Sequence, residues 1–96
     1  MSRKIRWLHL ALADLDELMA YIAEENPEAA TSVARKIWDT TQMLSHHPAM
    51  GKPGRVPETR ELVIPGKSYI VPYRVVADQV QILRILHGAR KWPQTL

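Results

Sequence analysis

The chain has 96 residues, of which 46% are hydrophobic and 24% are charged, and it contains no cysteine. These values are ordinary for one soluble globular domain over residues 1–96, and they exclude disulfide and thiolate chemistry. No apolar run approaches the roughly 18 residues of a membrane span. The histidines are too scattered for a metal site. The net charge of +3 favours an acidic partner or a nucleic acid, but it does not choose between them.

The first half of the chain predicts a short strand, residues 5–8, followed by two helices. From Ala11 onward, apolar residues recur every three or four positions, which is typical of one buried helix face. The stripe comprises Leu8, Ala11, Leu12, Leu15, Leu18, Met19 and Ile22. Asn26 and Pro27 end this helix and begin the next, because Asn is a good N-cap and Pro is tolerated at the first helical position. The second stripe comprises Ala30, Val33, Ala34, Ile37, Trp38 and Leu44, and this helix is expected to end near residues 45–47. So short a connection predicts an antiparallel hairpin.

The second half predicts a loop and then three strands. Residues 48–58 read as a loop, because proline and glycine are concentrated there. Residues 59–64, 69–76 and 80–87 are rich in β-branched and aromatic side chains, as strands are. Pro65-Gly66 suits a type II turn, and Asp78 favours a tight turn, so the three strands are expected to form an antiparallel meander. The predicted fold class is α+β, with the helical hairpin packed on a small antiparallel sheet.

A trial register that pairs Val76 with Gln79 and Ile64 with Lys67 divides the meander into two faces. One face carries Arg60, Leu62, Tyr69, Val71, Tyr73, Ile82, Arg84 and Leu86. The other carries Glu61, Val63, Ile70, Pro72, Arg74, Gln81, Leu83, Ile85 and His87. Two helices cover only one face, so the other is expected to meet a partner, a substrate or solvent. Pro72 cannot donate a ladder hydrogen bond and is therefore expected at an edge or a bulge.

Three sets of residues are candidates for function. Arg60 and Arg84 on one face suit a phosphate-binding pair, although pairing with carboxylates such as Asp14, Glu17 or Glu61 is the alternative. His87 suits a general base, although a structural hydrogen bond is the commoner role. Trp92 suits either a partner anchor or a lid that folds back on the sheet, and burial favours the lid.

The remaining cations suggest a basic rim or ordinary solvated charge. They are Lys52, Arg55, Lys67, Arg90 and Lys91, all in loops or the tail. No nucleophile–base pair, phosphate-binding glycine loop or metal-ligand spacing occurs in the sequence. The residues alone therefore predict a small basic α+β domain with an under-covered sheet and no visible reaction, and no cofactor is expected.

Several segments together resemble one family. The runs VIPGKSYIVPYRV at residues 63–75 and ILRILHGARKWP at residues 82–93 are similar to the C-terminal half of many ParE-like proteins. ADLDE at residues 13–17 and the residues 47–54 resemble the helical half and the loop. The chain is thereby identified as a member of the RelE/ParE family, the toxins of type II toxin–antitoxin modules. The resemblance implies a bacterial cytoplasmic toxin that forms a hetero-oligomer with a cognate antitoxin, whose C-terminal segment wraps it by a helix or an added strand.

The resemblance also implies one of two targets. The RelE-like branch cuts mRNA on the ribosome with basic, His or Tyr side chains, whereas the ParE-like branch inhibits DNA gyrase. Ile70 falls where RNA-cutting members carry a catalytic Arg, and an aliphatic side chain cannot stabilise a phosphorane. His87 and Arg90 remain the candidates if the chain is an enzyme, but no catalytic residue is assigned. We therefore expect a gyrase inhibitor, with a ribosome-dependent mRNA endoribonuclease as the alternative. A family member that only binds its antitoxin, without toxicity, is the third reading. The residues expected to bind the antitoxin or the target are Arg60, Tyr73, Arg74, Arg84, Arg90 and Trp92.

Overall fold

The computed structural model describes residues 2–89, 91–93 and 95–96, and it is an α+β domain as predicted. The elements are β1 (Lys4–Trp7), α1 (His9–Ala23), α2 (Pro27–Gln42), a 3-10 turn (Met43–Ser45), β2 (Lys52–Pro53), β3 (Arg60–Val63), β4 (Tyr69–Val76), β5 (Gln79–Ile82) and β6 (Leu86–His87). The strands form one sheet in the order β1–β5–β4–β3–β2, and β6 pairs with the beginning of β4.

The two helices pack as a hairpin on one face of the sheet. Asn26 Oδ1 accepts a hydrogen bond from the Ala29 N–H at 3.2 Å, and Pro27 occupies the first turn, so the predicted boundary between the helices is confirmed. The core beneath them is continuous and apolar. It contains Ala11, Val33, Ile37, Leu44, Leu62, Ile64, Val71, Tyr73, Val80, Ile82 and Ile85.

Trp38 does not lie in that core, contrary to the predicted stripe on α2. Its neighbour Ile37 is fully buried, and the next position along a helix points about 100° away. Trp38 is half exposed and stacks on Trp7 of β1, with ring centroids 5.9 Å apart. Leu12 is similarly exposed on α1, so the buried stripe of each helix is narrower than the sequence suggests.

The sheet is mixed rather than antiparallel, because β1 runs parallel to β5, with Ile5 opposite Val80. A parallel neighbour needs a long crossover, and here α1, α2 and three strands separate the two in sequence. The predicted loop also contains β2, whose residue Lys52 pairs with Glu61 of β3.

The strand register matches the prediction at one turn and differs at the other. Val76 pairs with Gln79 as expected, whereas β3 pairs with β4 through Val63 and Ile70, two residues away from the trial register. A shift of two residues preserves which side chains share a face. Gly66 has a φ of +71°, which agrees with the predicted Pro-Gly turn.

The last strand was predicted to be continuous over residues 80–87, but it is interrupted. β5 ends at Ile82 and pairing resumes at Leu86, so three residues on this side oppose two on β4. This is a β-bulge, and the single extra residue reverses the faces of everything after it. Pro72 lies opposite the bulge, where its carbonyl accepts a hydrogen bond from the Leu83 N–H at 2.9 Å. Proline has no backbone N–H to donate, and the interrupted pairing at the bulge tolerates that lack.

Candidate functional site

Asp14 of α1 holds the bulge in place. Its carboxylate accepts from Arg84 Nε at 2.7 Å, from Arg84 Nη2 at 3.1 Å and from the Ile85 backbone N–H at 2.9 Å. The hydrogen bond with Asp14 raises the pKa of the Arg84 guanidinium above its ordinary value. Arg84 therefore pairs with an acidic residue, which was the alternative to phosphate binding. Its guanidinium is already bound to Asp14.

Arg60 lies apart from Arg84 and has a different role. Its Nη1 donates to the carbonyl of Gly51 at 2.6 Å and to that of Ala49 at 3.4 Å. Among the described residues, no carboxylate lies within ion-pair distance of it. Arg60 fastens the loop before β2, so the two arginines do not form a phosphate-binding pair.

Tyr73 fastens the same loop from the central strand. Its hydroxyl donates to the Pro48 carbonyl at 2.7 Å and accepts from the Gly51 N–H at 2.8 Å. A Cβ on Gly51 would lie 2.6 Å from the Tyr73 ring, so glycine is needed for this close approach. The ring is fully buried, and burial raises the pKa of the hydroxyl. In this structure Tyr73 offers no surface to a partner.

His87 lies on the face opposite to the predicted one, because the bulge reverses it. It pairs with Tyr69, and their rings meet edge to face with centroids 5.7 Å apart. His87 Nδ1 accepts the Ala89 N–H at 3.2 Å. This nitrogen is therefore engaged with the backbone two residues further along the chain, the structural role that is commoner for a histidine.

Ile70 stands in an apolar row across the sheet, on the face away from the helices. Val63 and Leu86 are its cross-strand partners, and Val63 is 52% exposed. A cation introduced at Ile70 would meet only aliphatic neighbours in this row. Arg74, further along the same strand, is exposed and donates from Nε to Gln81 Oε1 at 2.6 Å. Among the described residues it is the most exposed of the arginines predicted to bind a partner, since Arg60 and Arg84 are only partly exposed.

Trp92 folds back onto the domain. The Arg55 guanidinium lies 3.5 Å from the centroid of its ring, a cation–π contact. Arg55 in turn donates its backbone N–H to Glu61 Oε2 at 2.8 Å, and Glu61 is only 3% exposed. The loop and the tail therefore meet above buried Glu61, so the second sheet face is only partly open. Arg90 lies outside the described residues.

The described residues form two concave surfaces that bear on the site. The larger, about 510 Å³, lies between α1, β6 and the tail, and we call it the α1–tail cleft; its walls include Glu17, Tyr21, Tyr69, His87 and Trp92. The smaller, about 340 Å³, lies beside the outer edge of β3. Met43, Met50 and Val63 line it, and all three are exposed; we call it the β3-edge patch.

Sequence reasoning named Asp14 as a partner for an arginine, but it missed Tyr21 and the α1–tail cleft. The signal was present, because Asp14, Glu17 and Tyr21 are spaced three and four residues apart and share one side of α1. The sequence did not indicate that β6 faces these three residues of α1. The bulge brings His87 to this side, and a one-residue insertion leaves no trace in the alternation of residues 80–87.

A family described as the ParE toxin of the type II toxin–antitoxin system parDE matches residues 5–92. The chain belongs to this family. It is 47% identical over 97 residues to the putative toxin Y4kP of Sinorhizobium fredii, with all of both chains covered. It is also 31% identical to toxin RelE2 of Caulobacter vibrioides, over 91% of this chain and 97% of that one.

A solved structure agrees with the family assignment. A chain of the chromosomal ParDE toxin–antitoxin system from P. aeruginosa superposes with a TM-score of 0.80 at 29% identity, covering 90% of this chain and 96% of that one. This ParE-family chain is thus a type II toxin of the RelE/ParE family, as the resemblance implied. In the part of the chain that the structure describes, no helix is long and apolar enough to cross a membrane, and no three acidic or histidine side chains cluster as metal ligands.

Proposed function

We propose that this ParE-family chain arrests growth by inhibiting DNA gyrase in the cytoplasm and is neutralised by a cognate antitoxin. The observation that carries the target is the row formed by Val63, Ile70 and Leu86. Ile70 is the position matched to the catalytic Arg of the RNA-cutting branch. An isolated cation among aliphatic side chains is costly, so this row is built for packing rather than for stabilising phosphorane charge.

The state of His87 supports the same target. Catalysis by a general base needs a lone pair within reach of the proton that it removes. His87 Nδ1 already accepts the Ala89 N–H at 3.2 Å, so this nitrogen is engaged within the chain. The uncharged Ile70 side chain and the engaged Nδ1 of His87 both favour gyrase over RNA as the target.

An antitoxin partner is supported by exposed apolar surface. The β3-edge patch brings Met43, Met50 and Val63 together beside a strand whose outer edge is paired only through Lys52 and Pro53. Unpaired strand edges and apolar patches of this kind are typical docking surfaces for a second chain. The toxin–antitoxin complex is proposed as the resting state.

Ribosome-dependent cleavage of mRNA is the second candidate, favoured by a separate observation. On the sheet face away from the helices, Arg6 pairs across Gln81 with Arg74, and Lys4 lies in the next row. Exposed cations in register on one sheet face suit a phosphate backbone. These side chains could hold RNA, but they supply no general base.

Primer extension on RNA from induced cells separates the two targets. We expect translated mRNA to remain intact while DNA synthesis stops. The His87→Ala variant is expected to retain most of the toxicity. Codon-positioned cuts that disappear in His87→Ala or Arg90→Ala would contradict the proposal and favour the ribosomal target.

A further inference from the structure

The first strand, β1, forms one edge of the sheet and has a neighbouring strand on one side only, namely β5. The backbone N–H groups of Lys4 and Leu8 donate to carbonyls on the β5 side. Because N–H groups alternate in direction along a strand, those of Ile5 and Trp7 point to the open side. Among the described residues, neither of these two N–H groups has an acceptor. The edge therefore offers backbone donors to an incoming chain.

The open stretch of this edge is short and contains a further unpaired donor. It begins after Arg3, whose N–H donates to the Ser45 carbonyl at 2.9 Å, and it ends at Trp7, just before α1. The indole N–H of Trp7 is buried and has no hydrogen-bond partner in the part of the chain that the structure describes. Buried donors are normally paired, so this end of the sheet lacks acceptors that a second chain can supply.

The outer face of the edge, away from the helices, is positively charged. Lys4 and Arg6 are exposed there, about 6.7 Å apart along β1. The exposed acid Asp78 precedes β5, but it makes no ion pair with either cation. On the helix side, Arg35 and Asp39 of α2 are both exposed and balance each other in charge. Charge on the outer face therefore favours an anionic partner.

A second copy of this chain does not suit the edge. Antiparallel pairing of two β1 strands would bring Lys4 and Arg6 of one copy beside the same cations of the other. Like charges on paired strands are destabilising, and cations on an edge strand commonly prevent such self-association. The chain that pairs with β1 must therefore differ from β1 in charge.

Single-stranded RNA is a second anionic chain to weigh, but this face offers it charge alone. RNA-binding surfaces also stack bases on aromatic side chains. Among the described residues, the exposed tyrosine and tryptophan side chains are Tyr21 and Trp38, and both belong to helices on the opposite side of the sheet. A peptide strand, in contrast, brings carbonyl acceptors in register with the unpaired donors of β1.

We propose that the open edge of β1 binds an extended acidic segment of the antitoxin, which adds a strand to the sheet. The identity of the partner rests on the proposed function, whereas the chemistry of the site does not. Side chains alternate along a strand, so acidic residues of the segment lie beside Lys4 and Arg6 on the outer face. Its apolar residues lie on the other side, against the half-exposed ring of Trp38 that stacks on Trp7. The segment thus alternates acidic and apolar residues.

The test is a titration of the full-length chain with the peptide acetyl-EVEVE-amide, followed by two-dimensional amide NMR and hydrogen exchange. We expect shifts at residues 4–7 with a dissociation constant on the order of 1 mM. Exchange of the Ile5 and Trp7 N–H groups should be fast in the free chain and slow in the complex. Two control peptides should bind about fivefold more weakly: acetyl-KVKVK-amide, whose charge is inverted, and an EVEVE peptide N-methylated on alternate residues, which cannot complete the strand pairing.

Charge-reversal variants assign the effect to the edge. Lys4→Glu and Arg6→Glu should each weaken binding of the EVEVE peptide about fivefold. The matched control is Arg74→Glu, an exposed cation on the same face but two strands, about 10 Å, inside the edge. It should change binding by less than about twofold. Slow exchange of the buried Val71 amide shows that each variant remains folded.

Three results would overturn the inference: fast exchange at Ile5 and Trp7 in the peptide complex, equal binding of the two charged peptides, or equal losses in Arg6→Glu and Arg74→Glu. Hexauridylate is the RNA probe. If it binds more tightly than the peptide and loses affinity equally in those two variants, the cations serve RNA instead.

The complex with the antitoxin tests the identity of the partner. The Ile5 and Trp7 N–H groups should exchange about tenfold more slowly in the complex than in the free toxin. Unchanged exchange there would overturn the assignment to the antitoxin. Because no gyrase is present in these measurements, failure here would leave the proposed target standing, and failure to inhibit gyrase would leave this site standing.

Discussion

The Tyr73 hydroxyl joins the central strand to the loop that precedes β2, and two backbone groups depend on it. One bond goes to the Pro48 carbonyl and one comes from the Gly51 N–H. The sequence grouped Tyr73 with Val71 and Ile82 on one sheet face without indicating which face the helices cover, and it proposed the residue as a binding candidate. The alternation of strand residues indicates a face; it does not indicate whether a hydroxyl is used inside the chain.

The Tyr73→Phe variant is expected to lose about 1–3 kcal/mol of unfolding free energy, because the Gly51 N–H and the Pro48 carbonyl are left without their hydrogen-bond partner. Urea unfolding at neutral pH measures the loss. Tyr21→Phe, which alters an exposed hydroxyl, is the matched control and should change stability by less than about 0.5 kcal/mol. Equal stability of the two variants would show that the loop is not held by this hydroxyl.

Tyr73 also makes the free energy of unfolding depend on pH. Burial raises the pKa of Tyr73 above its ordinary value of 10.0, so the unfolded chain loses this proton at lower pH than the folded chain. The contribution of Tyr73 to stability is complete below pH 10 and is lost as the pH rises toward the folded-state pKa. Unfolding measured between about pH 9 and 11 should therefore decline less steeply in Tyr73→Phe.

Trp92 is the second residue whose role the structure sharpens. It contacts Arg55 and is partly buried, so it acts as a lid rather than as a free anchor. We expect Trp92→Ala to cost about 1–3 kcal/mol, from lost burial and the lost cation–π contact. Thermal melts test this expectation. An unchanged melting temperature together with weaker antitoxin binding would instead assign the ring to the partner.

At the scale of elements, the bulge between β5 and β6 is the feature on which the cleft depends. It turns His87 toward α1, opposite Tyr69, and Asp14 supports it through the Ile85 N–H and the Arg84 side chain. The hairpin of helices and the strands of the meander could be predicted, because their periodicities are local. The bulge could not be predicted, since the carboxylate that holds it lies 70 residues earlier in the chain.

Asp14→Asn should destabilise the chain by about 2–3 kcal/mol, because a partly buried guanidinium loses its partner. The side chains of Arg84 and Asp14 are 20% and 15% exposed, so solvent screens the pair only in part. The control is Asp16→Asn, an exposed acid in the same turn of α1, with an expected change below about 0.5 kcal/mol. Chemical denaturation compares the two, and a similar loss in both would remove Asp14 from its supporting role.

At the scale of the whole molecule, the sheet is covered by helices on one face and only partly covered on the other. The sequence predicted that asymmetry from the number of helices and from two mixed faces. It did not predict the parallel pairing of Ile5 with Val80 or the short edge strand at Lys52. The parallel pairing could not be predicted because it depends on the path of the chain between distant segments. The edge strand was missed because proline and glycine at residues 53 and 54 are typical of a loop.

Exposed apolar surface at this scale predicts that the antitoxin stabilises the toxin. Covering the β3-edge patch should raise the melting temperature by several degrees and reduce self-association, because a ligand of the folded state shifts the unfolding equilibrium. Calorimetry and light scattering with and without antitoxin test this expectation. A free toxin that is monodisperse, with a melting temperature insensitive to antitoxin, would contradict it.

The central claim concerns the target, and supercoiling of relaxed plasmid by purified gyrase tests it most directly. We expect supercoiling to fall as this ParE-family chain is added and to recover when an equimolar amount of antitoxin is present. The reason is that Ile70, between Val63 and Leu86, puts no cation at the position matched to the catalytic Arg of the RNA-cutting branch, which leaves gyrase as the proposed target. Undiminished supercoiling at toxin concentrations that arrest growth would contradict the account.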